Sequence, residues 1–133
     1  MVEQFLPHCR HLKELQVYGF DSNENYRENM CDLAFRIMDV QAENKMETLA
    51  LMNLASPYSD SDGLKETDML LINSIVRSGQ TNLIKIDLFK SRSWWADSEA
   101  LSYLCAFIQE QNNLKELVLR HNFFSNDAFE QVI

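Results

Sequence analysis

The hexapeptide LKELQV at residues 12–17 returns three times in this chain, as METLAL at 46–51, LIKIDL at 83–88 and LKELVL at 114–119. In every copy the first, fourth and sixth residues are apolar, and successive copies begin 34, 37 and 31 residues apart. A pattern that recurs at a period of tens of residues is typical of repeat proteins, in which each unit packs on the next. The sequence therefore predicts about four irregular units in 133 residues.

Apolar residues with helical spacing follow each hexapeptide at a fixed distance. Eighteen residues after the copies begin stand Met30, Leu64, Leu101 and Val132, and seven residues later stand Ile37, Leu71 and Ile108. Because seven residues make two helical turns, such positions share one face of a helix. Strand and helix in alternation require crossover connections, and hence a parallel sheet. We expect strands near 14–18, 48–52, 85–89 and 116–120, with helices near 28–41, 64–78, 98–111 and from 126 onward.

The repeated pattern resembles the leucine-rich repeat family, in particular its helix-containing, ribonuclease-inhibitor-like type, whose units carry L-x-x-L-x-L-x-x-N. Asn122 matches the asparagine at the ninth position, where Phe20, Leu54 and Ser91 stand in the other copies. The resemblance covers essentially the whole chain and implies that residues 1–133 form a single leucine-rich repeat domain. The implied fold is α/β, a leucine-rich repeat solenoid: a right-handed βα superhelix with a parallel sheet on its concave face and helices on its convex face.

Side-chain alternation predicts the core. The apolar residues of each hexapeptide point towards the helices. The helices pack against them with apolar stripes at positions i, i+3, i+4 and i+7. These stripes comprise Met30, Leu33, Ala34 and Ile37; Leu64, Leu71, Ile72, Ile75 and Val76; and Leu101, Leu104, Cys105 and Ile108. The helices are predicted to begin at caps supplied by Asp62, by Asp97 or Ser98, and by Ser125, and the second helix to end at Gly79.

Composition narrows the classes of protein. With 46% hydrophobic residues the chain can bury a core, yet no apolar run approaches the roughly 18 residues of a membrane helix. Twenty acidic and twelve basic residues give a net charge of −8, which disfavours nucleic-acid binding. Cys9, Cys31 and Cys105 lie in different units and are predicted to be free, buried thiols in a reducing compartment. We expect a soluble, intracellular protein of the cytoplasm, without membrane insertion.

Half-units stand at both ends of the chain. Residues 2–9 are typical of the end of a helix whose strand is absent, and residues 125–133 begin a helix of barely two turns. Stable repeat arrays need polar capping units at their ends. We therefore expect the chain to be a fragment of a longer array, or to have its ends covered by a partner in a larger complex.

Motifs that would carry chemistry are incomplete. Residues 8–11, HCRH, place metal-capable side chains together, but no second cluster supplies further ligands, so a plain turn is favoured. Residues 58–63, YSDSDG, share part of a calcium-loop pattern, yet Tyr58 stands first and Met69 stands where a bidentate glutamate is required. No pairing of nucleophile and base and no glycine-rich phosphate loop is apparent. The sequence predicts no enzyme, no metal and no cofactor.

The outward strand positions are predicted to stack into three columns across the concave sheet. The first column is Glu14, Thr48, Lys85 and Glu116; the second is Gln16, Ala50, Asp87 and Val118; the third is Tyr18, Met52, Phe89 and Arg120. Only the third column collects several residue types that are enriched in protein interfaces, so we expect it to form a protein-binding ridge. The alternative is that its rings merely pack against each other or against neighbouring loops.

Two tryptophans, Trp94 and Trp95, lie in the expected loop at 90–97. We expect one to plug its unit and the other to extend the ridge as an exposed anchor at the rim, with structural packing as the alternative. The sequence thus predicts a non-enzymatic scaffold that binds a protein partner through the concave sheet and the rim. A structural subunit of a large assembly is the main alternative. The family resemblance adds, more weakly, an inhibitor-like or GTPase-activator-like regulator.

Overall fold

A computed structural model describes residues 2–19, 24–55 and 64–120. Several predicted features fall outside these residues: the loop at 58–63, the caps Asp62 and Ser125, and the helix expected from 126 onward. Asn122, which matches the ninth position of the repeat pattern, lies outside them as well.

The four predicted strands form one parallel sheet. They are β1 (Glu14–Tyr18), β2 (Thr48–Met52), β3 (Lys85–Asp87) and β4 (Glu116–Val118). Their order in the sheet is β1-β2-β3-β4, and equivalent repeat positions lie side by side, with Leu49 between Leu15 and Ile86. The predicted α/β architecture with a parallel sheet is confirmed, although β3 and β4 each end two residues earlier than expected.

Helices precede the sheet and connect its strands. The chain begins with α1 (Val2–Phe5) and a short 3₁₀ helix (Leu6–Cys9), and continues through α2 (Glu24–Asp39), α3 (Glu66–Arg77), α4 (Arg92–Ala96) and α5 (Ser98–Gln109). Helices α2, α3 and α5 correspond to three predicted helices, and α3 packs against both of the others. The sequence did not predict α4, which occupies the expected loop. Within the described residues, none of the helices has the length and apolar character needed to cross a lipid bilayer.

The core lies between the sheet and the helices. Leu15 and Val17 of β1 are buried while the residues between and beside them are exposed, as the alternation predicts. The predicted helix stripes are buried or half-buried, except that Val76 is exposed. Since the buried face of α3 is centred on Leu71, Ile72 and Ile75, Val76 falls at the edge of that face.

Two of the predicted helix boundaries lie within the described residues, the start of α5 and the end of α3. Asp97 caps α5, because its Oδ1 accepts a hydrogen bond from the N–H of Ala100 at 2.9 Å. Gly79 follows α3 with a φ of 67°, a left-handed conformation that glycine adopts without steric cost. Its N–H donates to the carbonyl of Val76 at 3.2 Å, so the predicted stop is confirmed.

A glutamine after each connecting helix ties neighbouring units together, and the apolar pattern did not predict it. Gln80 is buried, and its Oε1 accepts a hydrogen bond from the N–H of Met46 at 3.0 Å. Its Nε2 donates to the carbonyl of Glu43 at 2.9 Å. Both partners belong to the backbone just before β2, so this side chain joins the end of one helix to the start of the preceding strand.

The same joint recurs at Gln41 and Gln111. Their Oε1 atoms accept from the N–H groups of Leu12 (3.3 Å) and Leu83 (3.0 Å), and their Nε2 atoms donate to the carbonyls of Cys9 (2.5 Å) and Gln80 (2.8 Å), respectively. We call Gln41, Gln80 and Gln111 the glutamine ladder. It satisfies backbone groups at the turns between helix and strand, where the strands' own hydrogen bonds have not yet begun.

Candidate protein-binding surface

Main-chain hydrogen bonds hold the third column in line. Tyr18 and Met52 are direct partners in the register of β1 and β2. Parallel pairing continues beyond the shorter strands β3 and β4, because three N–H groups donate to carbonyls of the column: Gly19 to Met52 (2.9 Å), Asn53 to Phe89 (2.8 Å) and Lys90 to Arg120 (3.2 Å). The structure therefore brings together the four residues that the sequence grouped by their shared repeat position.

The side chains of the third column combine aromatic and cationic groups. Tyr18 is 41% exposed, Arg120 is exposed, and Met52 and Phe89 are half-buried. The guanidinium carbon of Arg120 lies 5.8 Å from the centroid of the Phe89 ring, and Lys90 Nζ lies 5.6 Å from it. These distances are within the range of cation–π attraction. Two cations thus lie over the Phe89 ring at the carboxyl end of the sheet.

The backbone turns sharply just after the third column. Asn53 and Lys90 have φ values of 57° and 54°, in the left-handed region that costs most residues energy. Gly19 stands at the equivalent position, and a Cβ there would lie 2.4 Å from the carbonyl oxygen of Asn53. Asn53 Nδ2 donates to the carbonyl of Gly19 at 2.5 Å. Asn53 is the eighth residue of the second unit, whereas the repeat pattern has its asparagine at the ninth. Its side chain bridges the bends of the first and second units.

The first two columns offer less accessible interaction chemistry. In the second column Ala50 and Asp87 are buried, and Asp87 Oδ1 accepts a hydrogen bond from the N–H of Phe89 at 3.2 Å. In the first column Lys85 Nζ lies 3.9 Å from a carboxylate oxygen of Glu116, a partly exposed pair. The polar atoms of these columns are thus partly used within the sheet, and Asp87 helps to orient the backbone at Phe89.

Both tryptophans are in the core, so the prediction of an exposed tryptophan anchor at the rim is wrong. Trp94 is 0% and Trp95 is 2% exposed. Trp94 Nε1 donates to Oδ1 of the buried Asp68 at 3.0 Å, which satisfies the indole inside the protein. Helix α4 occupies the expected loop, and both tryptophans lie on its buried side. The repeat pattern gave no sign of Asp68, which lies on α3, 26 residues away.

The described residues hold no metal-binding cluster, and their cysteines favour the neutral thiol. They contain no group of three or more His, Cys, Asp or Glu placed to hold a metal ion. Burial raises the pKa of the Cys9 and Cys105 thiols above the ordinary value. Burial also raises the pKa of Cys31 well above that value, with a further contribution from the nearby carboxylate of Asp68. Raised pKa values disfavour the thiolate, which is the nucleophilic form of cysteine.

Comparisons with known proteins leave the family of this chain open. No protein-family model matches it, and no curated protein matches it. Among solved structures, it resembles the C-terminal domain of a tropomodulin from Caenorhabditis elegans, with a TM-score of 0.41 and 16% sequence identity. That match covers 98% of this chain and 88% of the other.

These findings correct the family resemblance drawn from the hexapeptides. The assignment to the ribonuclease-inhibitor-like leucine-rich repeats is wrong, because no family model supports it.

Proposed function

We propose that this chain is a non-enzymatic protein-interaction scaffold, and that the third column is its principal contact with a partner protein. The observation that carries the proposal is the alignment of Tyr18, Met52, Phe89 and Arg120 at the carboxyl ends of the four strands, with the Arg120 guanidinium over the Phe89 ring. Tyrosine and arginine are enriched among the residues that dominate binding energy. Because a hydrogen-bonded sheet already holds these residues in place, little conformational entropy is lost when a partner binds.

The proposal includes a finer description of the fold. In it, residues 1–133 are one domain whose βα units wind as a right-handed solenoid, with the sheet on the concave face and the helices on the convex face. The sequential strand order, the parallel register and the recurrent glutamine joints support this description. Right-handed crossovers are the rule for parallel strands.

An intracellular, cytoplasmic setting is part of the same proposal. All three cysteines of the chain are free thiols, and two of them are buried. The net charge of −8 supports a protein partner rather than a nucleic acid. No cofactor is required for binding of this kind.

The experiment begins with capture of the partner by the intact chain, followed by titration of variants. Phe89→Ala should weaken the complex by about 2 kcal/mol or more, roughly thirtyfold, if the ring is a central anchor. Its effect on stability should be small, since Phe89 is only half-buried. Glu66→Ala, an exposed position on α3, is the control. Lys65 is unsuitable as a control because its Nζ pairs with Glu24 and Glu28 at 2.5 and 2.9 Å.

The opposite pattern of affinities would assign the binding surface to the helices. If Glu66→Ala loses affinity while Phe89→Ala and Arg120→Ala do not, the third column is not the contact and the helices are.

A structural subunit of a larger assembly is the second candidate, and one observation favours it. Leu70 and Val76 of α3 are exposed, although both are apolar. Exposed apolar side chains of this kind are suited to a permanent neighbour on the helical side. Light scattering on the isolated chain separates the two functions: a stable monomer favours the binding scaffold, whereas association that grows with concentration favours the subunit.

A further inference from the structure

A groove of about 660 Å³ lies at the amino ends of the four strands, whereas the third column lies at their carboxyl ends. All of the residues that line the groove are among those that the structure describes. Its floor is built from the residues that immediately precede the four strands: Lys13, Glu47, Ile84 and Lys115. The remaining lining residues are Lys45 and three asparagines of the turns between helix and strand.

Backbone hydrogen bonds fix the spacing of this floor. The carbonyl of Lys13 accepts from the N–H groups of Glu47 (2.7 Å) and Thr48 (3.1 Å). The carbonyls of Glu47 and Ile84 accept from the next unit in the same way. Neighbouring strands lie about 4.8 Å apart, so the backbones at Lys13 and Lys115 are separated by three strand spacings, or about 14 Å. The two lysine side chains thus project from backbone positions that are held at a set interval.

The charge of the groove is opposite to that of the chain. The groove contains three lysines and one glutamate, whereas the whole chain has a net charge of −8. Lys45 Nζ pairs with Glu43 at 2.7 Å. Within residues 2–19, 24–55 and 64–120, no carboxylate forms an ion pair with Lys13 or Lys115. Two exposed cations are therefore available for an anionic ligand.

An apolar side chain lies between these two cations. Ile84 is 38% exposed in the groove. An extended peptide advances about 3.3 Å per residue, so two side chains four residues apart are separated by about 13 Å, close to the interval between Lys13 and Lys115. A phosphate backbone would match the cations but would place no apolar side chain on Ile84.

We propose that this groove binds an extended acidic segment of a partner protein, in which two carboxylates four residues apart reach Lys13 and Lys115 and an apolar side chain between them packs on Ile84. This surface is separate from the third column and does not depend on it. Exposed ion pairs are individually weak, so the expected affinity for a short peptide is low and falls with salt.

The test is an NMR titration of the ¹⁵N-labelled chain at low ionic strength with the end-blocked peptide GESLSEG. Amide shifts should saturate and be confined to residues lining the groove. The peptide GQSLSQG, which lacks the carboxylates, should give no saturable shifts. GSEELSG has the same charge with adjacent glutamates and should bind more weakly. Because this series uses the unmodified chain, it does not depend on the folding of any variant.

Variants of the chain provide the second half of the test. The double variant Lys13→Gln/Lys115→Gln should raise the Kd for GESLSEG by about threefold or more, as expected for two exposed ion pairs. Arg92→Gln removes the same kind of charge from α4, beyond the carboxyl end of β3, and should leave the Kd unchanged.

Several results would overturn the proposal. They are an absence of saturable binding at low salt, equal affinity in the double variant, and shifts that map outside the groove. Equal binding of GSEELSG would refute the four-residue spacing. Tighter binding of heptathymidylate than of GESLSEG would show that the groove takes a phosphate backbone and not an acidic peptide.

Discussion

The Trp94–Asp68 hydrogen bond shows how a single buried contact fixes the placement of a residue. Trp94→Phe keeps most of the ring but removes the N–H that Asp68 Oδ1 accepts at 3.0 Å. A buried acceptor that loses a donor costs about 1–3 kcal/mol, so the free energy of unfolding should fall by that amount, with an added loss from reduced packing. Urea denaturation measures the change.

Tyr103→Phe is the matched control, since it also removes one hydrogen bond, from the exposed hydroxyl to Glu99 at 3.1 Å. Its effect should stay within about 0.5 kcal/mol. Equal stability of Trp94→Phe and the unmodified chain would show that Asp68 does not need the indole.

The cysteines should differ in reactivity in a way that follows their burial. Burial raises the pKa of Cys31 well above the ordinary value. Little thiolate therefore forms at Cys31 at any pH below this raised pKa. Cys9 is half-buried and its pKa is raised by burial as well. Under native conditions iodoacetamide should label Cys9 first and Cys31 last. Labelling of Cys31 should remain slow through about pH 8.5, the ordinary thiol pKa, as followed by mass spectrometry. Similar rates for the two would contradict the burial of Cys31.

Single residues also show where sequence reasoning succeeds and where it fails. The alignment of Tyr18 with Met52 could be predicted because a shared repeat position determines it, whatever the chemistry of the side chains. The burial of Trp94 could not, because it depends on a carboxylate 26 residues away that no repeat position marks.

At the scale of elements, strand β3 carries the clearest test of the core. Ile86 is 1% exposed, so Ile86→Asp would place an unpaired charge in the core and should unfold the chain. Far-UV circular dichroism would report the loss. Ile84→Asp, two residues earlier and 38% exposed, makes the same kind of change at the surface and should leave the spectrum close to that of the unmodified chain. A folded Ile86→Asp variant would mean that β3 does not face the core.

The glutamine ladder gives a prediction about the joints between elements. Gln80→Met keeps a similar volume but leaves the N–H of Met46 and the carbonyl of Glu43 without their side-chain partner. Because Gln80 is buried, the free energy of unfolding should fall by about 1–3 kcal/mol. Gln16→Met, at an exposed position of β1, should change it far less. Equal effects would mean that the joint contributes no more than a surface hydrogen bond.

Elements were predictable where apolar spacing determines them. Helices α3 and α5 lie within two residues of their predicted bounds because their core faces repeat the same offsets. Helix α4 and the glutamine ladder were missed for a common reason: each depends on polar or aromatic side chains that satisfy backbone and core groups of another unit, and spacing of apolar residues does not record such contacts.

At the scale of the whole molecule, stability should be uneven across the sheet. Strands β2 and β3 are each bonded to two neighbours, and their apolar core positions are buried, whereas Leu117 and Leu119 at β4 are only half-buried. We expect amide hydrogen exchange, read by mass spectrometry, to be slowest in β2 and β3 and faster in β4 and in residues 2–9. Uniform protection to both ends of the chain would contradict this order.

The glutamine ladder bears on how a chain of this kind can evolve. Each joint pairs one side chain with backbone groups of the preceding unit, and backbone groups persist through any substitution of the residues that carry them, proline apart. A duplicated unit that keeps its glutamine therefore brings its own means of attachment and does not need a matching change in its neighbour. The length of such a protein can then change by recombination between units, while the faces that meet other molecules diversify independently.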